Sequence, residues 1–150
     1  MVLYANYSSP FGPIQIGHGD GKILFIRCGT PSAPHVPSDV SERANLQLQE
    51  YFAGKRKTFD LPIDLIGTPF QISVWQCLLT VPYGEVRSYS QIAAAIGKPK
   101  ACRAVGQAIH RNPLWIVVPC HRIVGSNQAL TGYAGGLDMK QKLLELEKNS

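Results

Sequence analysis

The chain has 150 residues, 45% of them hydrophobic, and a formal net charge of +5. That length suits one domain or two small ones, and the apolar content supports a packed core, which excludes an intrinsically disordered chain. No apolar run approaches the roughly 18 residues of a membrane span, the N-terminus lacks a signal-peptide pattern, and the scattered Cys28, Cys77, Cys102 and Cys120 form neither a disulfide framework nor a C-x-x-C pair.

The first third reads as β-rich. Residues 2–7, 14–16 and 22–27 are short apolar or alternating runs. Pro10-Phe11-Gly12-Pro13 and Gly17-His18-Gly19-Asp20-Gly21 punctuate them, which predicts an antiparallel meander. A loop over 31–37 leads to a helix. Asp39 is its expected cap, with Glu42 three residues on, and Gly54 its end. Val40, Ala44, Leu48, Tyr51 and Phe52 make its apolar face. Residues 55–67 read as a connector.

The rest is mostly helical. Thr68-Pro69-Phe70-Gln71 is a capping box with proline at the first helical position, and Ser88-Tyr89-Ser90-Gln91 is a second box. The helix it opens stops at Gly97. Another follows Lys98-Pro99 and runs to about Arg111. Its apolar face is Ala101, Val105, Ala108 and Ile109, and its other face presents Arg103, Gly106, Gln107 and His110. Two short helices with a tight Gly-containing turn suggest a helix-turn-helix. Gly106 in mid-helix costs about 1 kcal/mol against Ala, so it needs a reason. That reason is close approach either to a nucleic-acid backbone or to another helix. Asn112-Pro113 breaks the helix, residues 114–118 read as a buried strand, and Asp138 with Gln141 is expected to cap a last helix with Leu143, Leu144 and Leu146 inside.

Charge follows this division. Residues 1–68 are balanced, and the whole positive surplus falls after them. From residue 86 to residue 137 there is no Asp or Glu, while Arg87, Lys98, Lys100, Arg103, Arg111 and Arg122 lie in that window. Such a field favours a polyanion, although a solvated basic face would look the same.

Cys120 sits in this window between Pro119 and His121. Only a thiolate is a nucleophile, and nearby positive charge favours it while burial opposes it. The bland alternative, a buried small hydrophobe, fits Cys28, Cys77 and Cys102 better. In an extended segment Cys120 and His121 would point to opposite faces, so their cooperation needs a turn or a bridging water. A carboxylate to orient His121 could be Glu85, Asp138, Glu145 or Glu147. The spacing Cys28…His35 and the isolated His18 match no common zinc pattern, so no metal is expected.

From Pro119-Cys120-His121-Arg122 outward the chain resembles the O6-alkylguanine-DNA alkyltransferase family. Gly67-Thr-Pro-Phe-Gln71, Gly84-Glu-Val-Arg-Ser-Tyr89, Arg103-Ala-Val-Gly106, Asn112-Pro113, Ile116-Val-Val-Pro-Cys-His-Arg122 and Thr131-Gly-Tyr-Ala-Gly-Gly136 carry the resemblance. Ser9-Pro-Phe-Gly12 and Tyr51-Phe-Ala-Gly54 fit more weakly.

The resemblance implies an α+β protein. Its N-terminal domain, residues 1–54, would be a small RNase H-like β-meander plus helix. A connector, 55–67, would lead to a winged-helix-like domain with a helix-turn-helix, 68–150. It further implies irreversible single-turnover repair, in which Cys120 takes the alkyl group from O6-methylguanine, with O4-methylthymine as a further substrate. The base is flipped from the duplex for this. In this correspondence His121 is the water-mediated base, Glu147 its carboxylate, Asn112 the residue orienting the active-site turn, and Tyr89 a contact to the target base. Arg103 fills the stack, and Tyr89, Ser90, Lys98, Gly106, Gln107 and Ser126 lie against DNA in the minor groove. Trp115, Ile123, Tyr133 and Ala134 line the pocket. Trp115 stands where a small proline is common, and Ala134 lacks a hydroxyl the family often has. No cofactor and no membrane partner is implied, and the protein is expected to be a monomer. The alternatives are a helix-turn-helix DNA binder or lesion sensor without chemistry, and a Cys-His hydrolase of small substrates.

Overall fold

The computed structural model describes residues 1–125 and 132–149. It divides into two compact units, Met1–Leu65 and the chain from Ile66 onward.

In the first unit three antiparallel strands, β1 (Leu3–Ser9), β2 (Gly12–Gly19) and β3 (Lys22–Cys28), form a sheet in chain order. Asp20 and Gly21, both at positive φ, make the tight β2–β3 turn, which matches the twist of a two-stranded ribbon. The second strand is longer than its sequence suggests. It continues through Gly17 and His18, where the register with β3 shifts. Gly17 belongs there because a Cβ would meet the Phe25 ring at 2.9 Å.

Helix α1 (Asp39–Phe52) packs on β2 and β3. Its cap is Ser38, one residue earlier than expected. The Ser41 N–H donates to Ser38 Oγ at 3.2 Å, and the Ser38 N–H donates to Ser41 Oγ at 2.8 Å. Asp39 and Glu42 serve in the first turn, where negative charge favours the helix dipole. Ala44, Leu48 and Tyr51 are buried as expected, while Val40 and Phe52 are half-buried. Gln47 is also buried, because its amide closes both hydrogen bonds on the Asp60 backbone. Residues 62–64 hydrogen-bond to Ile23 on the edge of β3, so part of the expected connector belongs to this unit.

The second unit is helical. Helix α2 (Pro69–Leu78) begins with the Thr68 capping box, and α3 (Tyr89–Ala95) with the Ser88 box. Gly97, at φ +77, turns the chain into α4 (Cys102–His110), which buries Val105, Ala108 and Ile109. The Trp75 indole donates to Ala108 O at 2.8 Å and anchors α4 on α2. Helices α3 and α4 pack together as a helix-turn-helix.

Leu114 and residues 116–118 are buried and Trp115 is half-buried, but the run does not form the expected strand. Val117 N–H donates to Trp115 O and Val118 N–H to Leu114 O, at 2.8 and 2.9 Å, so the run closes on itself as a tight turn. Ile116 lies at φ +74 within it, a conformation that β-branched residues rarely adopt. Cys120–Arg122 follow as one turn of 3-10 helix, and the short β4 (Arg87–Ser88) pairs in parallel with β5 (Ile123–Val124).

The last helix, α5 (Leu137–Lys148), starts at Gly136 without a side-chain cap, so Asp138 and Gln141 do not cap it. Its buried residues are Met139, Lys140, Leu143 and Glu147, whereas Leu144 and Leu146 are half-buried. No helix among the described residues is long and apolar enough to cross a membrane.

Candidate active site

The tight turn and the 3-10 turn bring Asn112, Cys120 and His121 into the core of the second unit, all with at most 3% exposure. Asn112 holds the assembly. Its amide nitrogen donates to Val118 O at 2.8 Å and lies 3.2 Å from Cys120 Sγ, while its oxygen accepts from Leu114 N at 2.9 Å. A side-chain amide thus satisfies carbonyl and N–H groups that a strand ladder would otherwise have paired.

Because Cys120–Arg122 is a turn, consecutive side chains need not alternate across two faces. His121 Nε2 lies 2.6 Å from Glu147 Oε2 on α5. Among the four carboxylates left open by the sequence, Glu147 is therefore the one that reaches His121. His121 Nδ1 is buried and has no hydrogen-bond partner among the described residues.

Two cations to which the sequence assigned no place in the site complete the cluster. Arg122 spans Glu147, with Nε 2.8 Å from Oε1 and one terminal nitrogen 3.0 Å from Oε2. Its other terminal nitrogen donates to Val81 O at 2.8 Å. Lys140 is fully buried and donates to Ile123 O. A sequence signal for Lys140 exists, since Lys140, Leu143, Leu144 and Glu147 recur at the spacing of one helical face. Arg122 has no such periodicity.

Burial dominates the electrostatics. It pushes the Cys120 thiol up to about 11, against the opposing effects of the Asn112 hydrogen bond, the Lys140 charge and Tyr133. It pushes His121 below its ordinary value, although Glu147 pulls the other way. It also brings the Lys140 ammonium down to about 8. At neutral pH the resting pair is thus a thiol beside a neutral imidazole.

The remaining candidates lie around this core. Tyr133 is buried and packs at 6.0 Å, centroid to centroid, on the half-buried Trp115. Gly135 sits beneath both rings, since a Cβ there would meet Tyr133 at 2.8 Å and Trp115 at 3.2 Å. Ile123 is buried and Ala134 exposed. Tyr89 opens α3 with its ring facing Gly106, where an added Cβ would sit 3.8 Å away. That is ordinary contact distance, so no tight helix–helix approach explains Gly106. Arg103 and Gln107 are exposed on α4, Ser90 is exposed on α3, and the exposed Lys98 lies with Nζ 5.7 Å from the Phe70 ring centroid. Ser126 lies outside the described residues. Among the described residues no cluster of His, Cys, Asp and Glu could hold a metal ion.

Residues 69–149 match the DNA-binding domain model of 6-O-methylguanine DNA methyltransferase, and residues 2–65 match its ribonuclease-like domain. The chain belongs to this methyltransferase family. The constitutive methylated-DNA–protein-cysteine methyltransferase of Bacillus subtilis is 48% identical to it, covering 100% of this chain and 98% of that protein. A crystal structure of the Mycobacterium tuberculosis O6-methylguanine methyltransferase superposes with a TM-score of 0.90 at 46% identity, covering 99% and 94% of the two chains. A second structure from that organism, in complex with DNA, has a TM-score of 0.90 at 45% identity, covering 97% of this chain and 92% of that one. The α+β fold with its helix-turn-helix is thus the family's fold.

Proposed function

We propose that this protein repairs DNA by moving the alkyl group from O6 of guanine to Cys120 in one irreversible step. The observation that carries the reading is a buried thiol on the same turn as a histidine that pairs with a buried carboxylate on α5, in a member of a methylated-DNA–protein-cysteine methyltransferase family.

His121, polarised by Glu147, takes the thiol proton through one water at its Nδ1 side. The thiolate sulfur attacks the alkyl carbon, the S–C bond forms, and the C–O6 bond breaks with its electron pair going to guanine. Tyr89 supplies the proton that leaves guanine neutral. Because the resting thiol is held near 11, the thiolate forms only as His121 accepts its proton. Asn112 aims the sulfur. Trp115, Ile123, Tyr133 and Ala134 line the pocket that takes the flipped base, and Trp115 limits the alkyl groups that fit.

The second unit carries the DNA contacts. Helix α4 enters the minor groove, Arg103 fills the space left by the flipped base, and Gly106 lets a backbone come close. Gln107, Ser90, Lys98 and Ser126 add contacts. The protein works as a monomer in the cytoplasm, or in the nucleus of a eukaryote, on double-stranded DNA.

The test is intact and peptide mass spectrometry after incubation with duplex DNA containing O6-methylguanine. One added methylene on the Cys120 peptide, once per molecule, is expected, and Cys120→Ser should bind the DNA without taking the group. Binding without any mass change in the unsubstituted protein would make it a lesion sensor instead. Repeated turnover would refute the acceptor reading.

A further inference from the structure

Arg122 plays no part in the transfer as written, yet it is one of the most buried charges in the second unit. Its guanidinium grips both oxygens of Glu147, binds Val81 O and lies 5.6 Å from the Tyr83 ring centroid. The same Glu147 carboxylate receives His121 Nε2 at 2.6 Å and the Gly84 N–H at 3.2 Å. One carboxylate is therefore shared between a permanent cation and an imidazole.

That sharing has a chemical consequence. A histidine facing a lone carboxylate is drawn toward its charged form, and an imidazolium cannot accept a proton. A guanidinium on the same carboxylate offsets this pull, because its charge does not depend on pH in the working range. We infer that Arg122 is a positioning residue for alkyl transfer: it fixes Glu147 by both oxygens and balances its charge, so that His121 rests as a neutral imidazole. In that state Nε2–H donates to Glu147 and Nδ1 keeps its lone pair for the Cys120 proton.

The groups around His121 agree with this. From α5 it meets Glu147 and Lys140, and from its own turn Cys120 and Arg122. Tyr83, between α2 and β4, lies against Arg122. Only Glu147 favours the imidazolium. Lys140 and Arg122 disfavour it, as does burial.

The inference rests on His121 as the base for Cys120, and the test separates the two. Single-turnover methyl transfer is followed from about pH 5 to about pH 9 for the unsubstituted protein, Arg122→Gln, Arg122→Lys and His121→Gln. A bell-shaped profile reports the pKa of the base. The unsubstituted protein should keep its rate down to pH values below the usual histidine range. Arg122→Gln should move this acid limb up by about one unit, so the rate lost relative to the unsubstituted protein should be least at about pH 8.5, grow through a few-fold near about pH 6, and approach about tenfold only below both limbs. Arg122→Lys should restore part of the shift. A folded Arg122→Gln whose rate drops equally at every pH, with its acid limb unmoved, would overturn the inference and leave Arg122 a structural residue. If that variant fails to fold, histidine nitrogen NMR on the unsubstituted protein decides: a neutral Nε2–H imidazole for His121 at neutral pH supports the inference, and an imidazolium overturns it. A His121→Gln variant with unchanged rate and profile would instead refute His121 as the base.

Discussion

At the scale of single residues, burial sets the reactivity of the cysteines. Cys102 is exposed on α4, whereas Cys120 is buried with its thiol pushed up to about 11. Alkylating reagents attack the thiolate at a reachable sulfur. Brief treatment with iodoacetamide near neutral pH should therefore modify Cys102 well before Cys120, as read by peptide mass mapping. Preferential labelling of Cys120 would mean an open, activated thiol. The sequence marked Cys120, His121 and Asn112 through their surroundings and the family resemblance. By residue chemistry alone the carboxylate stayed open, because Glu147 meets His121 only through the packing of α5. Lys140 carried a signal in its helical spacing, but a lysine on an inward face is easily taken for a surface residue whose stem lies along the core. Arg122 stood in the basic window and beside Cys120, but nothing in the sequence showed what it pairs with. Its partners, Val81 and Glu147, are 41 and 25 residues away in the chain.

At the scale of elements, local chemistry was legible where it is local. The Thr68 and Ser88 capping boxes and the Gly97 turn formed as their residue types require. The turn over residues 114–118 was not legible, because an apolar run looks alike whether its hydrogen bonds go to a neighbouring strand or back to itself. Here Asn112 supplies the missing partners, and that amide cannot be foreseen from composition. Helix α4 yields a prediction with two opposite signs. Among the described residues outside its own helix backbone, a Cβ at Gly106 meets nothing closer than 3.8 Å. Gly106→Ala should then raise stability by up to about 1 kcal/mol through helix propensity. If α4 lies against a DNA backbone, the same methyl should weaken duplex binding. Thermal melting and a binding titration on one sample check both. A variant that is more stable and binds DNA equally well would remove Gly106 from the interface.

At the scale of the whole molecule, the charge asymmetry and the division into two units coincide: the surplus of the +5 chain lies beyond residue 68, in the unit that holds the helix-turn-helix. Phosphate contacts release counterions, so duplex affinity should fall steeply and linearly on a log–log plot against salt. Replacing Arg103 or Lys98 by Ala should each reduce that slope by about 1 if the side chain binds phosphate, and an unchanged slope would show that it does not.

The buried cluster described above contains two cations, Arg122 and Lys140, and one carboxylate, Glu147. A Cys120 thiolate adds a negative charge beside them, and the Lys140 charge favours it. Alkyl transfer turns that sulfur into a thioether, which can never ionise again. The reaction then amounts to a core substitution made after folding, one that lengthens a packed side chain and deletes an ionisable group at a single stroke. The spent protein is, in physical terms, a point mutant of itself.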